Sequence, residues 1–298
     1  MSFFSIVIPV YNRAGLFKQT IQTLFDQEFT DFEIIVIDDG STDEIKELVS
    51  QLTLQHANLK YFYQQNSERG CARNNGIQRA QGRYVVMFDS DDFMHPDHLS
   101  TLHANILTLN YPEFIATKFD FVTDGKHVPS DIMSLPAGEY DYRLFLHGNP
   151  FACNICFHRE NRSLFLFEED RKYAMLEDWM FLIQNLKNSK IYLVNKVTIS
   201  QHDHEKRSMK NDNAEFVRRV KRAFDWMLAK VPLSDPEVRI LKAQVNYLSA
   251  IHCYLDGKRT ETITYLTRAL QASGFQMRYA LLLLKCLAGR KLLSKLKS

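Results

Sequence analysis

The sequence predicts an α/β domain built on a mostly parallel, doubly wound sheet flanked by helices, with a helical extension at its C-terminal end. Three observations predict it. Short β-branched apolar runs alternate with stretches of helical periodicity along the front of the chain. Polar, ligand-competent residues stand directly after three of those runs, and the balance of charge reverses near residue 210.

Ser5 to Val10 is a continuous apolar run of strand length, and after Asn12 the positions Leu16, Phe17, Thr20, Ile21, Leu24 and Phe25 recur at helical spacing. Glu33 to Ile37 is a second β-branched run. Ser41-Thr42-Asp43-Glu44 then reads as a capping box opening a helix that keeps Ile45, Leu48, Val49 and Leu52 on one face. Leu59 to Tyr63 supplies a third strand, Ala72 to Ala80 a helix, and Tyr84 to Phe88 a fourth strand. Strands that are apolar throughout are buried on both faces, which requires helices above and below the sheet. Farther on, strand-like runs at Phe114 to Asp120, Phe151 to Phe157 and Ile191 to Ser200 surround a helix from Glu177 to Leu186. Beyond about Asn213 the pattern is helical, with segments at 215–229, 237–255, 261–272 and 277–296 broken by the prolines at 232 and 236 and by Asp256-Gly257.

A chain of 298 residues with 45% hydrophobic content can bury a sizeable core. No apolar run approaches the ~20 residues that span a bilayer, and Met1-Ser2-Phe3-Phe4 lacks the basic start of a signal peptide, so a cytoplasmic chain is expected. Five cysteines, an odd number, point to reduced thiols. Cys153 and Cys156 have no second pair to complete a zinc site, and in a strand their side chains face opposite ways. The formal charge of +2 hides an asymmetry: residues 1–210 carry 21 bases and 28 acids, and residues 211–298 carry 16 and 7. This division predicts a catalytic domain over 1–210 and a basic helical region over 211–298. An acidic front suits cations and hydroxyl-rich substrates rather than nucleic acid, whereas a basic rear suits an anionic surface.

In doubly wound sheets ligands bind outside the carboxyl ends of the strands. Here those ends carry Pro9-Val10-Tyr11-Asn12-Arg13, Asp38-Asp39-Gly40-Ser41 and Asp89-Ser90-Asp91-Asp92. Carboxylates packed at one strand tip repel unless a cation or a set of hydrogen-bond donors offsets them, and oxygen ligands suit Mg²⁺ or Mn²⁺. An acidic loop leading to a helix started by Pro96 and Asp97 is the competing reading. Neither G-x-G-x-x-G nor a phosphate loop follows the first strand, which speaks against dinucleotide oxidoreductases and phosphate-loop kinases. Tyr11 offers an aromatic surface for a base, and Asp39 an acceptor for a pyrimidine N–H.

SIVIPVYNR, EIIVIDDGSTD, GCARNNGI and YVVMFDSDD, in this order, resemble the family-two group of GT-A nucleotide-sugar glycosyltransferases over roughly residues 4–210. The resemblance implies the GT-A fold, which is Rossmann-like. It also implies an inverting, Mn²⁺- or Mg²⁺-dependent transfer from a nucleotide-diphosphate sugar, UDP-linked by preference, to a hydroxyl of a glycan or lipid-linked acceptor. Cell-surface polysaccharide or lipopolysaccharide-type synthesis is the expected setting. Carried onto this chain, the pattern sets Pro9, Tyr11 and Asp39 around base and ribose and Arg73 near the donor. Asp89 and Asp91 match the D-x-D pair with Ser90 between them beside the nucleotide, Asp89 toward the ribose and Asp91 on the cation. Asp92 shapes the site or touches the transferred sugar.

A sugar hydroxyl is a poor nucleophile at neutral pH, so inversion needs a carboxylate to accept its proton. Glu177-Asp178 resembles the family's acidic pair, with Asp178 the base and Glu177 its helper or an acceptor contact. In Gln201 to Ser208 the resemblance implies that His202 or His204 completes the metal sphere and that Arg207 or Ser208 meets phosphate, a solvated loop being the competing reading. A sugar nucleotidyltransferase, which should show a glycine-rich basic loop, and a silent nucleotide-sugar binding module, which should have lost its acids, are the alternatives. Met277 to Ser298 combines leucines with six basic residues and no acid, a composition suited to peripheral contact with an anionic leaflet on the inner face of the membrane, although core packing against the other helices explains the leucines equally well.

Overall fold

The computed structural model describes residues 2–203 and 212–288. The chain divides into two compact units, one of residues 1–142 with 149–204 and the other of residues 143–148 with 205–298.

In the first unit β1 (Phe4–Val10), β2 (Phe32–Asp38) and β3 (Leu59–Tyr63) alternate with α1 (Ala14–Phe25), α2 (Ile45–Thr53) and α3 (Glu68–Arg79). There follow β4 (Tyr84–Met87), β5 (Phe93–Met94), α4 (His98–Thr108), β6 (Phe114–Thr123), β7 (Lys126–Pro129) and β8 (Gly138–Tyr140). The short α5 (Tyr142–Phe145) belongs mostly to the second unit. The first unit closes with β9 (Ile155–His158), α6 (Glu177–Asn185) and β10 (Ile191–His202). One sheet runs in the order β3-β2-β1-β4-β9-β6-β10-β5, with β7 beside β6 and β8 beside β10. The β3-β2-β1-β4 half is wholly parallel, and every residue of β1 and β2 is buried. The other half is mixed. β9 enters antiparallel between β4 and β6, while β6 and β10 run parallel.

Three of the element starts that differ from the sequence reading have an identifiable reason in the structure. Ser41 to Glu44 forms no capping box: α2 starts at Ile45 without a side-chain cap, because the Ser41 hydroxyl accepts a hydrogen bond from the Asn12 N–H instead. α3 begins at Glu68, four residues ahead of Ala72, in a turn whose polar residues and glycine mask its periodicity. A Cβ on Gly70 would lie 2.2 Å from the Glu168 carbonyl oxygen, so only glycine allows this close approach. β9 starts at Ile155 rather than Phe151, since Asn149 caps a turn by accepting from the Phe151 N–H and donating to the Ala152 carbonyl.

An aromatic cluster fixes α6 in place. Phe181 on its inner side stacks on Phe167 with centroids 4.1 Å apart and meets Phe157 of β9 and Phe114 of β6. This packing sets the start of α6, and with it Glu177 and Asp178, at a defined position beside the sheet.

The second unit contains α7 (Asn213–Lys230), α8 (Asp235–Leu255), α9 (Arg259–Ser273) and α10 (Met277–Ala288). A capping box between Ser234 and Glu237, with Pro236 in the first turn, opens α8 two residues ahead of the start that periodicity suggests. Ala250, Leu266, Ala269, Tyr279 and Leu282 form one hydrophobic cluster in the core of this unit. Among the described residues no helix is long and apolar enough to cross a membrane.

Candidate active site

The loops that follow β1 and β2 are laced to each other. Asp39 N–H donates to the Val10 carbonyl, Thr42 N–H to Asn12 Oδ1 at 2.8 Å, and Ala14 N–H to Asp43 Oδ2 at 2.8 Å. Pro9 lies beyond Val7, the last residue of β1 paired with β4, so its missing N–H is not needed there. Tyr11 is 48% exposed at the tip of β1 and presents its ring to solvent. Asp39 is buried, and its carboxylate accepts from Gln64 Nε2, the Ser67 N–H and Asn66 Nδ2. Gly40 has φ of 81°, and a Cβ there would lie 2.7 Å from the Asn66 nitrogen.

The GCARNNG segment of α3 joins this rim to the acidic one. Asn75 Nδ2 donates to Gln64 Oε1, and Gln64 in turn holds Asp39. Asn74 donates to the Phe167 carbonyl and to Glu169 Oε1 while accepting from the Phe167 N–H, which clamps the strip before α6 onto α3. Arg73, only 2% exposed, extends Nη1 to Glu177 Oε1 at 2.7 Å and Nη2 to Asp89 Oδ1 at 3.0 Å. Arg69, one turn earlier, reaches the same Glu177 oxygen at 3.6 Å. The motif resemblance sets Arg73 near the donor, whereas its ion-pair contacts are with two carboxylates. Arg69 belongs to the same cluster and is absent from the sequence reading, although its i, i+4 spacing to Arg73 is a usable signal.

These contacts determine the electrostatics. Burial alone would raise the Asp89 carboxyl, but Arg73, with Arg69 and Arg13, holds it below the usual carboxylate range. Asp178, at the first turn of α6, accepts from the Trp179 N–H. Burial, followed by the neighbouring Glu177 charge, pushes its carboxyl up to about 6, with Arg73 offsetting part of the rise. Cys153 and Cys156 are free, buried thiols, raised well above the ordinary range by burial, and are therefore poor nucleophiles at neutral pH.

Ser90 is buried, and its carbonyl accepts from Thr20 Oγ1 at 3.2 Å, which seats the acidic loop on α1. Asp91, 7% exposed, pairs through Oδ2 with Arg13 Nη1 at 2.6 Å. In the sequence Arg13 stands out only as the end of its motif. Asp92 is buried and accepts from the His202 N–H at 3.1 Å. Asp89, Asp92, Cys153, Asn154 and Gln201 help to line a cavity of about 10 Å³, room for about one water.

Asp89, Asp91 and His202 do not form a ready-made cation cage. Among the described residues no group of three or more His, Cys, Asp or Glu is arranged to hold a metal ion. The backbone bond from His202 runs to Asp92, not to Asp91. The donor set is nevertheless hard oxygen, and Asp91 already faces a positive group at 2.6 Å. It fits a divalent cation that takes its remaining ligands from a diphosphate. His204, Arg207 and Ser208 lie outside the described residues.

The model of the family described as Glycosyl transferase family 2 matches residues 5–162. An uncharacterised glycosyltransferase of Haemophilus influenzae is 30% identical over 193 residues, covering 64% of this chain and 74% of the relative. The GalNAc(5)-diNAcBac-PP-undecaprenol β-1,3-glucosyltransferase of Campylobacter jejuni is 39% identical over 100 residues, 33% of this chain and 32% of the relative. An uncharacterised glycosyltransferase of Rickettsia felis is 33% identical over 172 residues; they cover 56% of this chain but only 27% of that protein, so the chain spans a small part of some relatives. Among solved structures, residues 1–349 of S. aureus TarS in complex with UDP-GlcNAc superpose with a TM-score of 0.68 at 22% identity, covering 95% of this chain and 84% of that one. The mannosyltransferase PcManGT of Pyrobaculum calidifontis, in complex with GDP-Man and Mn²⁺, gives 0.62 at 17% identity, covering 99% and 83%. At these identities the structural likeness shows the fold, an α/β sheet flanked by helices with helices at the C-terminal end.

Proposed function

Because the chain belongs to glycosyl transferase family 2, we propose that it moves a sugar from a nucleotide-diphosphate donor, UDP-linked by preference, to a hydroxyl of a glycan or lipid-linked acceptor with inversion. One observation carries the reading. Asp178, its carboxyl raised to about 6, stands beside Glu177, while Arg73 bridges Glu177 to the Asp89 strand tip. The complexes of TarS with UDP-GlcNAc and of PcManGT with GDP-Man support the choice of donor, and the undecaprenol-linked substrate in the name of the Campylobacter relative supports the acceptor. A role in polysaccharide or lipopolysaccharide-type synthesis follows from such an acceptor.

In this reading Tyr11 stacks on the base, and Asp39, held by Gln64, Asn66 and Ser67, accepts from the base edge or ribose. Asp178 takes the proton of the acceptor hydroxyl as its oxygen bonds to the anomeric carbon. The bond from that carbon to the diphosphate breaks, and the nucleoside diphosphate leaves with the electron pair. Glu177, only 2% exposed, holds Arg73 and Arg69 in place as a positioning residue. Asp91, with Asp89, would hold a Mn²⁺ or Mg²⁺ ion, which neutralises charge on the departing diphosphate as a Lewis acid. Calorimetric titration with UDP and Mn²⁺ tests the donor site. Asp91→Asn is expected to weaken binding at least about tenfold, or about 1.4 kcal/mol, and an unchanged affinity removes Asp91 from the cation.

We also propose that α10 rests on an anionic leaflet, which would hold the chain peripherally on the inner face of the membrane. Tyr279, Leu282 and Cys286 face the core of their unit, yet Leu281, Leu284 and Leu287 on the other side are 51%, 62% and 49% exposed. A helix that is apolar on both sides, in a region with 16 bases and 7 acids, is suited to lipid on its outer side and protein on its inner. Sedimentation with phosphatidylglycerol vesicles should carry the protein down. Changing Leu281, Leu284 and Leu287 to Asp should abolish this without lowering stability. No sedimentation of the unaltered protein, or a dimer lost in the triple variant, refutes the lipid contact.

A further inference from the structure

We propose that Arg13 is a cation surrogate that occupies Asp91 until nucleotide and metal arrive together, making binding of the two cooperative. This rests on the donor reading above and adds a residue and an order of events to it. Asp91 is 7% exposed, and a carboxylate withdrawn that far from water requires a compensating charge. Arg13 provides one, with Nη1 2.6 Å from Oδ2.

Arg13 stands at the N-cap of α1, immediately before the helix that seats the acidic loop through Thr20 and the Ser90 carbonyl. Its side chain is 22% exposed, whereas Arg73, deeper in the cluster, is held from two sides by Asp89 and Glu177. Of these two arginines, Arg13 has the more open side and so the easier exit.

A guanidinium and a dication cannot share one carboxylate oxygen, because like charges a few Å apart repel strongly in a partly buried setting. A metal entering without nucleotide is therefore opposed by Arg13, and with few ligands among the described residues to receive the ion the exchange is unfavourable. A diphosphate changes both sides of this balance. Its oxygens complete the coordination of the ion, and its negative charge gives the displaced guanidinium a bidentate partner close by. Metal and nucleotide should then each strengthen binding of the other by the same factor, as linkage requires. Arg13 thereby acts as a positioning residue, favouring the metal–nucleotide pair over metal alone.

The test is Mn²⁺ binding to the full chain, read by electron paramagnetic resonance of the free ion, with and without UDP. For the unaltered protein Mn²⁺ alone should bind weakly and UDP should tighten it at least about tenfold, within the usual range of coupling. Arg13→Gln should move the two values in opposite directions: tighter for Mn²⁺ alone, weaker for Mn²⁺ with UDP. Arg13→Lys, which keeps a charge, should fall between. A merely structural role would weaken both together, and that result, or no change in Mn²⁺ binding alone, overturns the proposal. If the unaltered protein binds no Mn²⁺ even with UDP, the failure belongs to the donor reading itself.

Discussion

Asp178→Asn is expected to lower turnover by about 10²- to 10⁴-fold, the contribution of a well-placed general base, while leaving nucleotide affinity unchanged. An amide matches the carboxylate in shape and still accepts a hydrogen bond from the Trp179 N–H, but it takes up no proton. The pH dependence has a definite sign. A base acts when ionised, so turnover of the unaltered enzyme should climb as pH rises through about 6 and level off above it. Stability should move the other way at this residue. The folded-state value lies above the ordinary 3.8, so ionisation of Asp178 opposes folding; the penalty is absent below about 4 and complete above about 6. Asp178→Asn should accordingly melt no lower than the parent at pH 7, which separates lost chemistry from lost structure. Retained turnover, or lost nucleotide binding, removes the base from Asp178.

The largest expected loss of stability comes from Arg73→Ala. Its guanidinium is 2% exposed and bridges Glu177, itself 2% exposed, to Asp89. Removing it leaves carboxylates in a site that has lost its central positive charge, and breaking a buried pair in this way costs about 3–5 kcal/mol. Arg73→Lys should rescue little, since one ammonium cannot span two carboxylates with the planar fork that Arg73 uses. Urea denaturation at pH 7 measures both variants. A loss below about 1 kcal/mol, the range of exposed ion pairs, would mean that the cluster is not held by this bridge.

The parallel half of the sheet is legible in the sequence because β1, β2 and β4 are buried throughout and read as mainly apolar runs, as in Phe4–Val10 and Phe32–Asp38. The mixed half is less so. Nothing in Ile155–His158 states that it runs antiparallel between β4 and β6, since strand direction is set by partners distant in sequence. Ser41 to Glu44 misleads for a related reason: a local capping pattern loses to a longer-range bond between Ser41 and Asn12. The acids at the strand tips and at the start of α6 are visible as residue types in suggestive places. Their wiring is not. The contact between Arg73 and Glu177 joins residues 104 positions apart, and that between Arg13 and Asp91 needs the acidic loop seated on α1. Asn74, which clamps the Phe167 strip, looks like an ordinary polar helix residue until its three hydrogen bonds are in view.

Nucleotide release over a panel of nucleotide sugars, with glycan acceptors and Mn²⁺, tests the central claim most directly, with Asp178→Asn as the blank. At least one sugar nucleotide, a UDP-sugar first among them, should yield its nucleoside diphosphate at a rate that collapses in the variant. Release from none of them, or equal release by the variant, would contradict a glycosyl transfer driven from Asp178.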